Sequence, residues 1–180
     1  MRLFVALVPP VEAIDDLDRA VAPVRAARPE LRWIPTERWH LTLAFYGEVA
    51  DGEVARIERR GLRATRGAAA LDLRFAGAGH FGDRVLWVGV QGDRDGLRAL
   101  AAGLATDRRP YRPHLTVARA RPGADPRPAA TMLAPYDGPA WRAAEVVLFR
   151  SHLGPKPTHE PLARWPLPAA RPPPPPTAPK

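Results

Sequence analysis

One five-residue pattern occurs twice in this 180-residue chain, as His40-Leu41-Thr42-Leu43-Ala44 and as His114-Leu115-Thr116-Val117-Ala118. In an extended segment successive side chains point to opposite faces, so each copy presents an imidazole and a hydroxyl on one face and aliphatic groups on the other. Two such strands side by side would set two imidazoles and two hydroxyls around one cleft. The chain is therefore expected to fold as two related halves that meet at these segments. Only two copies, so far apart, exclude a solenoid.

The rest of the chain supplies elements for that arrangement. Strands are predicted over 2–8, 31–34, 41–46, 71–75, 85–90, 114–118, 146–149 and 162–167, where β-branched, aromatic or alternating apolar residues are bounded by Pro or Gly. Helices are predicted over 11–28, 51–64 and 93–105. In the first, Val11, Ile14, Leu17, Val21 and Val24 recur at the spacing of one helix face, and Pro23 is expected to shorten or kink it. The stretch 121–139, rich in Pro and Gly, reads as a loop. Helices and strands mix without strict βα alternation, which argues an α+β fold rather than a doubly wound sheet. Residues 1–167 read as one domain. Residues 168–180 hold a five-proline run, Pro172 to Pro176, and read as an extended tail.

Hydrophobic residues make up 46% of the chain, enough for a sizeable core. The apolar start, Leu3 to Val8, is too short for a signal peptide and runs into Pro9-Pro10. No segment is long enough to cross a bilayer as a helix, and a soluble, cytoplasmic protein is expected. The formal net charge of +8 comes almost wholly from arginine. That balance favours a polyanionic partner such as RNA. It is equally what a general bias towards Arg, Ala and Pro would give, since no dense basic run concentrates the charge.

There is no cysteine, which removes disulfides, thiolate nucleophiles and thiolate metal sites. Zinc wants three or four protein ligands, and threonine two residues after each histidine is a poor one. His80, His152 and His159 form no metal-binding pair with each other, so no metal site is expected, and these three read as structural or exposed. Ser151, the single serine, lacks the Gly-x-Ser-x-Gly turn of a serine hydrolase. What remains is a pair of imidazoles acting as acid and base, with threonine hydroxyls as neutral donors. Histidine suits both roles because its ordinary pKa is near neutrality. Displacement at a phosphodiester needs one proton removed from the attacking oxygen and one delivered to the leaving oxygen, and threonine hydroxyls can hold the non-bridging oxygens.

The paired motifs resemble those of the 2H phosphoesterase superfamily. The longer stretches Arg2 to Leu7, Trp39 to Gly47, Arg84 to Val90, Tyr111 to Arg119 and Glu145 to Gly154 narrow the resemblance to the RNA 2′,3′-cyclic phosphodiesterases, also called 2′-5′ RNA ligases. The resemblance implies a bilobal α+β fold, with two antiparallel sheets, outer helices and a central cleft. It implies hydrolysis of the 2′,3′-cyclic phosphate at an RNA end, tRNA fragments included, to a 2′-phosphate by a monomer without a cofactor. His40 would donate a proton to the leaving 3′-oxygen, His114 would accept one from water, and Thr42 and Thr116 would bind the phosphate. Arg119 stands where such proteins carry a substrate-contacting arginine. Strand parity puts it on the face opposite His114, so a bend must redirect it. Arg112 has cleft parity, and Phe81 is placed either to stack on a base or to pack in the core. Arg38 also has cleft parity and reads as a surface residue. Trp33, Trp87 and Trp141 read as packing residues. The alternatives are 2′-5′ ligation or opening of small cyclic nucleotides by the same displacement, and a non-catalytic module that binds RNA ends. The stretch 104–110 before the second motif is shorter than is usual in such proteins.

Overall fold

The computed structural model describes residues 1–107, 110–155 and 157–168. The elements run β1 (Arg2–Leu7), α1 (Val11–Ala27), β2 (Leu31–Trp33), β3 (Leu41–Glu48), α2 (Val54–Arg66), β4 (Leu71–Phe81), β5 (Val85–Gly92), α3 (Arg94–Leu104), β6 (His114–Ala120), α4 (Arg127–Leu133), β7 (Asp137–Ala143), β8 (Glu145–His152) and β9 (Thr158–Pro166). The strand order is β7-β4-β5-β6-β3-β1-β8-β9, with β2 paired to β6 as well. Every pairing is antiparallel.

That order has a centre. Four strands lie on each side of the β3–β6 junction, and the two motif strands are the innermost pair. The junction itself is a single register pair, Leu41↔Leu115. The expected two sheets are thus two halves of one nine-stranded sheet, four strands each along the main order with β2 added beside β6, joined at a seam of one register pair. Each half contains two paired strands linked through a helix, β5–α3–β6 in one and β1–α1–β3 in the other, where β2 intervenes between α1 and β3 and pairs with β6. The linking helices cross over. Helix α1, from the half containing β1 and β3, packs on β4, β7 and α4 of the other half, while α3 reaches β3 and α2.

Helix α1 buries Ala13, Leu17, Val21 and Val24, one stripe at the helical repeat. It continues through Pro23 to Ala27, with Pro23 exposed to solvent. On the outer side one helix is added to the expectation. The stretch 121–139 contains α4, opened by Pro128 in its first turn where the missing N–H costs nothing, and the start of β7. Strand β7 tolerates Pro139 because it is the edge strand of its half. Its Trp141 is buried and packs on Phe75 at 5.4 Å between ring centroids. Strand β9 begins at Thr158, earlier than its apolar residues suggest. The expected tail falls outside the described residues from 169 onward. Pro168 is held, its carbonyl accepting from the Ala70 N–H at 2.8 Å.

Candidate active site

The seam fixes the geometry of the repeated motif. Leu41 and Leu115 are each the residue after the motif histidine, both fully buried. Continuing that antiparallel register by one residue in each direction sets His40 opposite Thr116 and Thr42 opposite His114. All four side chains leave the face opposite the two leucines. Diagonal same-face neighbours lie about 7–8 Å apart, so the two imidazoles bracket a space the size of one phosphate. The two copies meet as the sequence pattern requires.

Each imidazole is held the same way. His40 Nδ1 donates to the Arg38 carbonyl at 2.8 Å, and His114 Nδ1 donates to the Arg112 carbonyl at 2.7 Å. A carbonyl only accepts, so each neutral ring carries its proton on Nδ1 and leaves Nε2 free as a base. Around His40 the backbone is set by Trp39, whose indole is buried and donates to the Ile34 carbonyl at 2.9 Å across the turn that leads into β3.

The motif also repeats a backbone irregularity. Between β1 and β3 the pairing passes from Val5↔Ala44 to Ala6↔Thr42, leaving Leu43 as an extra residue. Between β5 and β6 it passes from Leu86↔Ala118 to Trp87↔Thr116, leaving Val117 as an extra residue. Both bulges fall on the fourth motif position, and a bulge shifts the parity of everything beyond it. Arg119 is therefore brought back to the face of His114, the redirection that a regular strand would not give. Its guanidinium acts on the His114 ring. The equivalent position after the first motif is Phe45, which is 53% exposed, pairs with Phe4 and carries the Arg2 guanidinium over its ring at 4.7 Å. Sequence parity alone would have pointed Phe45 away from the cleft, and only the repeat itself, through its matching offset to Arg119, could have signalled it.

A cavity of about 1070 Å³ opens from this face, lined among others by Thr42, Phe45, Phe81, Tyr111, Arg112 and His114. Phe81, at the end of β4, is half-buried and meets the His114 ring edge-on at 4.8 Å, with Trp87 behind it at 5.5 Å. Trp87 closes on the backbone at Gly79, where an added Cβ would stand 2.3 Å from the indole. Trp33 donates to the Arg28 carbonyl. The three tryptophans thus pack as expected.

Two expectations change on the His40 side. His159, read as structural or exposed, is a half-buried neighbour of the site: its ring stands edge-on to His40 at 5.1 Å and to Phe4 at 4.9 Å. Arg38 is not a plain surface residue. It is only partly exposed, its Nε is sealed from solvent without a partner, and its charge acts on both His40 and His159. His80 is exposed, and His152 is half-buried and paired with Glu160 at 2.8 Å.

Burial sets the electrostatics. Desolvation pushes His40 down to about 4, opposed by the Arg38 carbonyl and reinforced by the charges of His159, Arg38 and His114. His114 is lowered by burial, opposed by its carbonyl partner and helped by Arg119. Among the described residues, Arg2, Arg38, Arg112 and Arg119 make no ion pair with a carboxylate. The cleft thus has unneutralised positive charge at its rim and two neutral imidazoles at its floor, an arrangement that suits an anionic substrate needing proton transfers.

Known proteins share this architecture. A protein-family model described as the 2′-5′ RNA ligase superfamily matches residues 9–155. An RNA 2′,3′-cyclic phosphodiesterase of Geobacillus stearothermophilus is 32% identical over 91% of this chain, which spans 56% of that relative's length. The Escherichia coli K12 protein of the same name is 31% identical, over 92% of this chain and 96% of its own. Among solved structures, one from Thermus thermophilus matches with a TM-score of 0.75 at 28% identity, covering 95% of this chain and 100% of that one. Escherichia coli LigT complexed with 3′-AMP matches with a TM-score of 0.73 at 26% identity, covering 92% of this chain and 97% of that one. From the extent of these matches and the paired motif that organises its fold, the chain belongs to the 2′-5′ RNA ligase superfamily.

Proposed function

We propose that this chain hydrolyses the 2′,3′-cyclic phosphate at an RNA end to a 2′-phosphate. The observation that carries this reading is the convergence of His40, Thr42, His114 and Thr116 across the Leu41↔Leu115 seam, each imidazole pinned through Nδ1. The phosphorus sits between the two Nε2 atoms. His114 removes a proton from water as its oxygen bonds to phosphorus. The bond to the 3′-oxygen breaks on the opposite side, and His40 delivers a proton to that oxygen. One proton enters and one leaves, and solvent returns the pair to its starting state. Thr42 and Thr116 donate to the non-bridging oxygens, where charge grows in the transition state. Arg119 and Arg112 neutralise the anion. Phe81 and Phe45, in one cavity, offer faces on which the terminal base stacks.

The donor role needs a proton that unliganded His40 holds poorly. A phosphodiester anion about 4 Å away, at an effective dielectric near 20, favours the imidazolium by about 4 kcal/mol, enough to bring the His40 pKa back towards neutral pH and keep the ring protonated there. The substrate thereby loads its own acid. No step runs through a metal ion.

The test is incubation of an oligoribonucleotide bearing a 2′,3′-cyclic phosphate in the presence of chelator, with identification of the terminal group. A 2′-phosphate product is expected, with each positioned proton transfer contributing about 10²- to 10⁴-fold, so that His40→Ala and His114→Ala lose that much. Two folded variants with wild-type turnover would end the reading. A second reading, 2′-5′ joining of RNA ends, is favoured by a cavity of about 440 Å³ beside His114, lined by Arg94, Arg98 and Arg112, on the side from which the nucleophile arrives. Competition between water and an RNA 5′-hydroxyl separates the two.

A further inference from the structure

The wall of the cleft on the His40 side carries groups that the displacement does not use. The register sets Arg2 across from Ser151, and Ser151 across from His159, in one row over three strands. The next row holds Phe4 and Phe149, stacked at 5.2 Å, with Phe4 in turn against His40 at 4.8 Å. Phe4 also touches His159, so the residues of this row and the last share the face of the catalytic pair. Arg38 overhangs it, close enough to act on the rings of both His40 and His159. Its Nε is buried and unpartnered. Neither Arg38 nor Arg2 is neutralised by a described carboxylate. The Arg38 guanidinium and the His159 imidazole thus stand beside His40 with no anion of the protein's own, while the Arg2 guanidinium lies farther along the wall, over the Phe45 ring. Such a cluster is costly unless an anion enters it.

The proposed reaction says which anion. In an in-line displacement the nucleophile and the leaving group lie on opposite sides of phosphorus. If His40 protonates the 3′-oxygen, the ribose that owns that oxygen lies on the His40 side. The 5′-oxygen of the same ribose carries the rest of the RNA, so the chain departs over the wall just described. We propose that Arg38 and His159 form a second anion subsite that binds the internucleotide phosphate on the 5′ side of the cyclic end, making this chain select oligonucleotide ends over mononucleotides. Arg2 continues the positive track along the same row. The proposal rests on the hydrolase reading and on its order of acid and base.

The experiment compares two ligands that differ by one nucleotide. Affinities of the protein for a nucleoside 2′-phosphate and for a dinucleotide ending in a 2′-phosphate are measured by calorimetry in phosphate-free buffer, and the ratio is the readout. The same ratio is taken from kcat/KM for the corresponding cyclic phosphates. Both are repeated with Arg38→Gln, Arg38→Lys and His159→Gln. Arg38 holds His40 through its backbone carbonyl, which these substitutions keep. The part of the Arg38 effect on His40 that both ligands share divides out of the affinity ratio. The expected result is a wild-type preference for the dinucleotide that falls about tenfold in Arg38→Gln, the scale of one charge-assisted hydrogen bond, and less in Arg38→Lys. His159→Gln lowers it increasingly as pH falls, since burial and the Arg38 charge hold the imidazole below the usual histidine range. A wild-type ratio near one, or a ratio unchanged by Arg38→Gln, overturns the subsite. Failure of the hydrolase reading shows differently: no turnover of either cyclic phosphate, with the binding ratio still measurable.

Discussion

The burial of His40 makes a quantitative demand on stability. Its pKa is about 4 in the folded chain against 6.5 for an exposed histidine, chiefly because the ring is desolvated. The folded state therefore resists the proton that the unfolded chain accepts. Above pH 6.5 both states are neutral and the group contributes nothing. Between 6.5 and about 4 the unfolded chain binds the proton and the folded chain does not, so stability falls as pH falls, and below about 4 the loss levels off. For one site the loss is about 1 kcal/mol at pH about 5.5 and about 2–3 kcal/mol at pH about 4.5. Domains are typically stable by about 5–15 kcal/mol, so a loss of this size is measurable. The perturbation is His40→Gln, which keeps a polar side chain and removes the titration. The assay is urea unfolding of both proteins in phosphate-free buffer across this range, with the slope of free energy against urea held as a check that the transition is unchanged. His114 and His159 are also lowered by burial and act in the same direction, but they remain in both proteins and largely cancel in the difference. The variant is expected to lose less stability than the wild type on acidification, by about the amounts given. Parallel losses in the two proteins would refute the account of a desolvated, neutral His40, and with it the claim that the substrate must supply the charge that loads the acid.

The same pKa directions predict that kcat/KM rises as pH falls from about 8 towards about 6.5, because the free protein must pick up one proton to reach its reactive form; a profile flat over that interval in a buffer series of constant ionic strength would contradict it. Thr42→Val or Thr116→Val is expected to lower kcat by about tenfold or more while KM changes little, since the hydroxyls act on charge that appears in the transition state. Phe45→Ala is expected to raise KM for a base-bearing substrate with a cost of about 1–3 kcal/mol, measured against a substrate whose base is removed. Gly61→Ala places a methyl 2.4 Å from the Trp165 ring at the α2–β9 contact and is expected to destabilise by about 1–3 kcal/mol in thermal or urea unfolding, without changing the pH profile of the residual activity.

Much of this arrangement is legible in the residues, and the rest is not for definite reasons. The pairing of the motifs follows from His-Leu-Thr alone, because alternation in a strand is geometry and both copies obey it up to the third residue. Parity then fails at the fourth. A bulge at Leu43 and at Val117 cannot be seen in an aliphatic residue, yet it decides where Phe45 and Arg119 point. The edge strand β7 was hidden because Pro139 excludes a central strand, and an edge position is a property of the whole sheet rather than of the segment. Helix α4 carried a start signal in Pro128, outweighed in sequence by the surrounding Pro and Gly. His159 had no motif partner within reach along the chain. Its partner is His40, brought to it through two intervening strands, and only the register of β1, β8 and β9 makes that contact.

A cradle built from two like halves poses a chemical problem, because the reaction is not symmetric. The two motifs supply equivalent imidazoles, equivalent carbonyl anchors and equivalent bulges, so nothing in them distinguishes the acid from the base. The distinction must come from what surrounds them. Beyond the bulges the halves differ, with Phe45 in one answering Arg119 in the other. On the walls, His40 has Phe4, His159 and Arg38, whereas His114 has Phe81 and Arg119. The His40 surroundings disfavour a proton in the empty cleft and contain uncompensated cations where an RNA chain would continue. An anion there relieves both conditions at once, so occupancy by the correct end raises the proton affinity of His40 more than a lone phosphate would. On this view the arginine two residues before the first motif couples recognition of the RNA to charging of the acid. The kcat of an oligonucleotide end would then hold to a higher pH than that of a mononucleotide, and Arg38→Gln would bring the two profiles together.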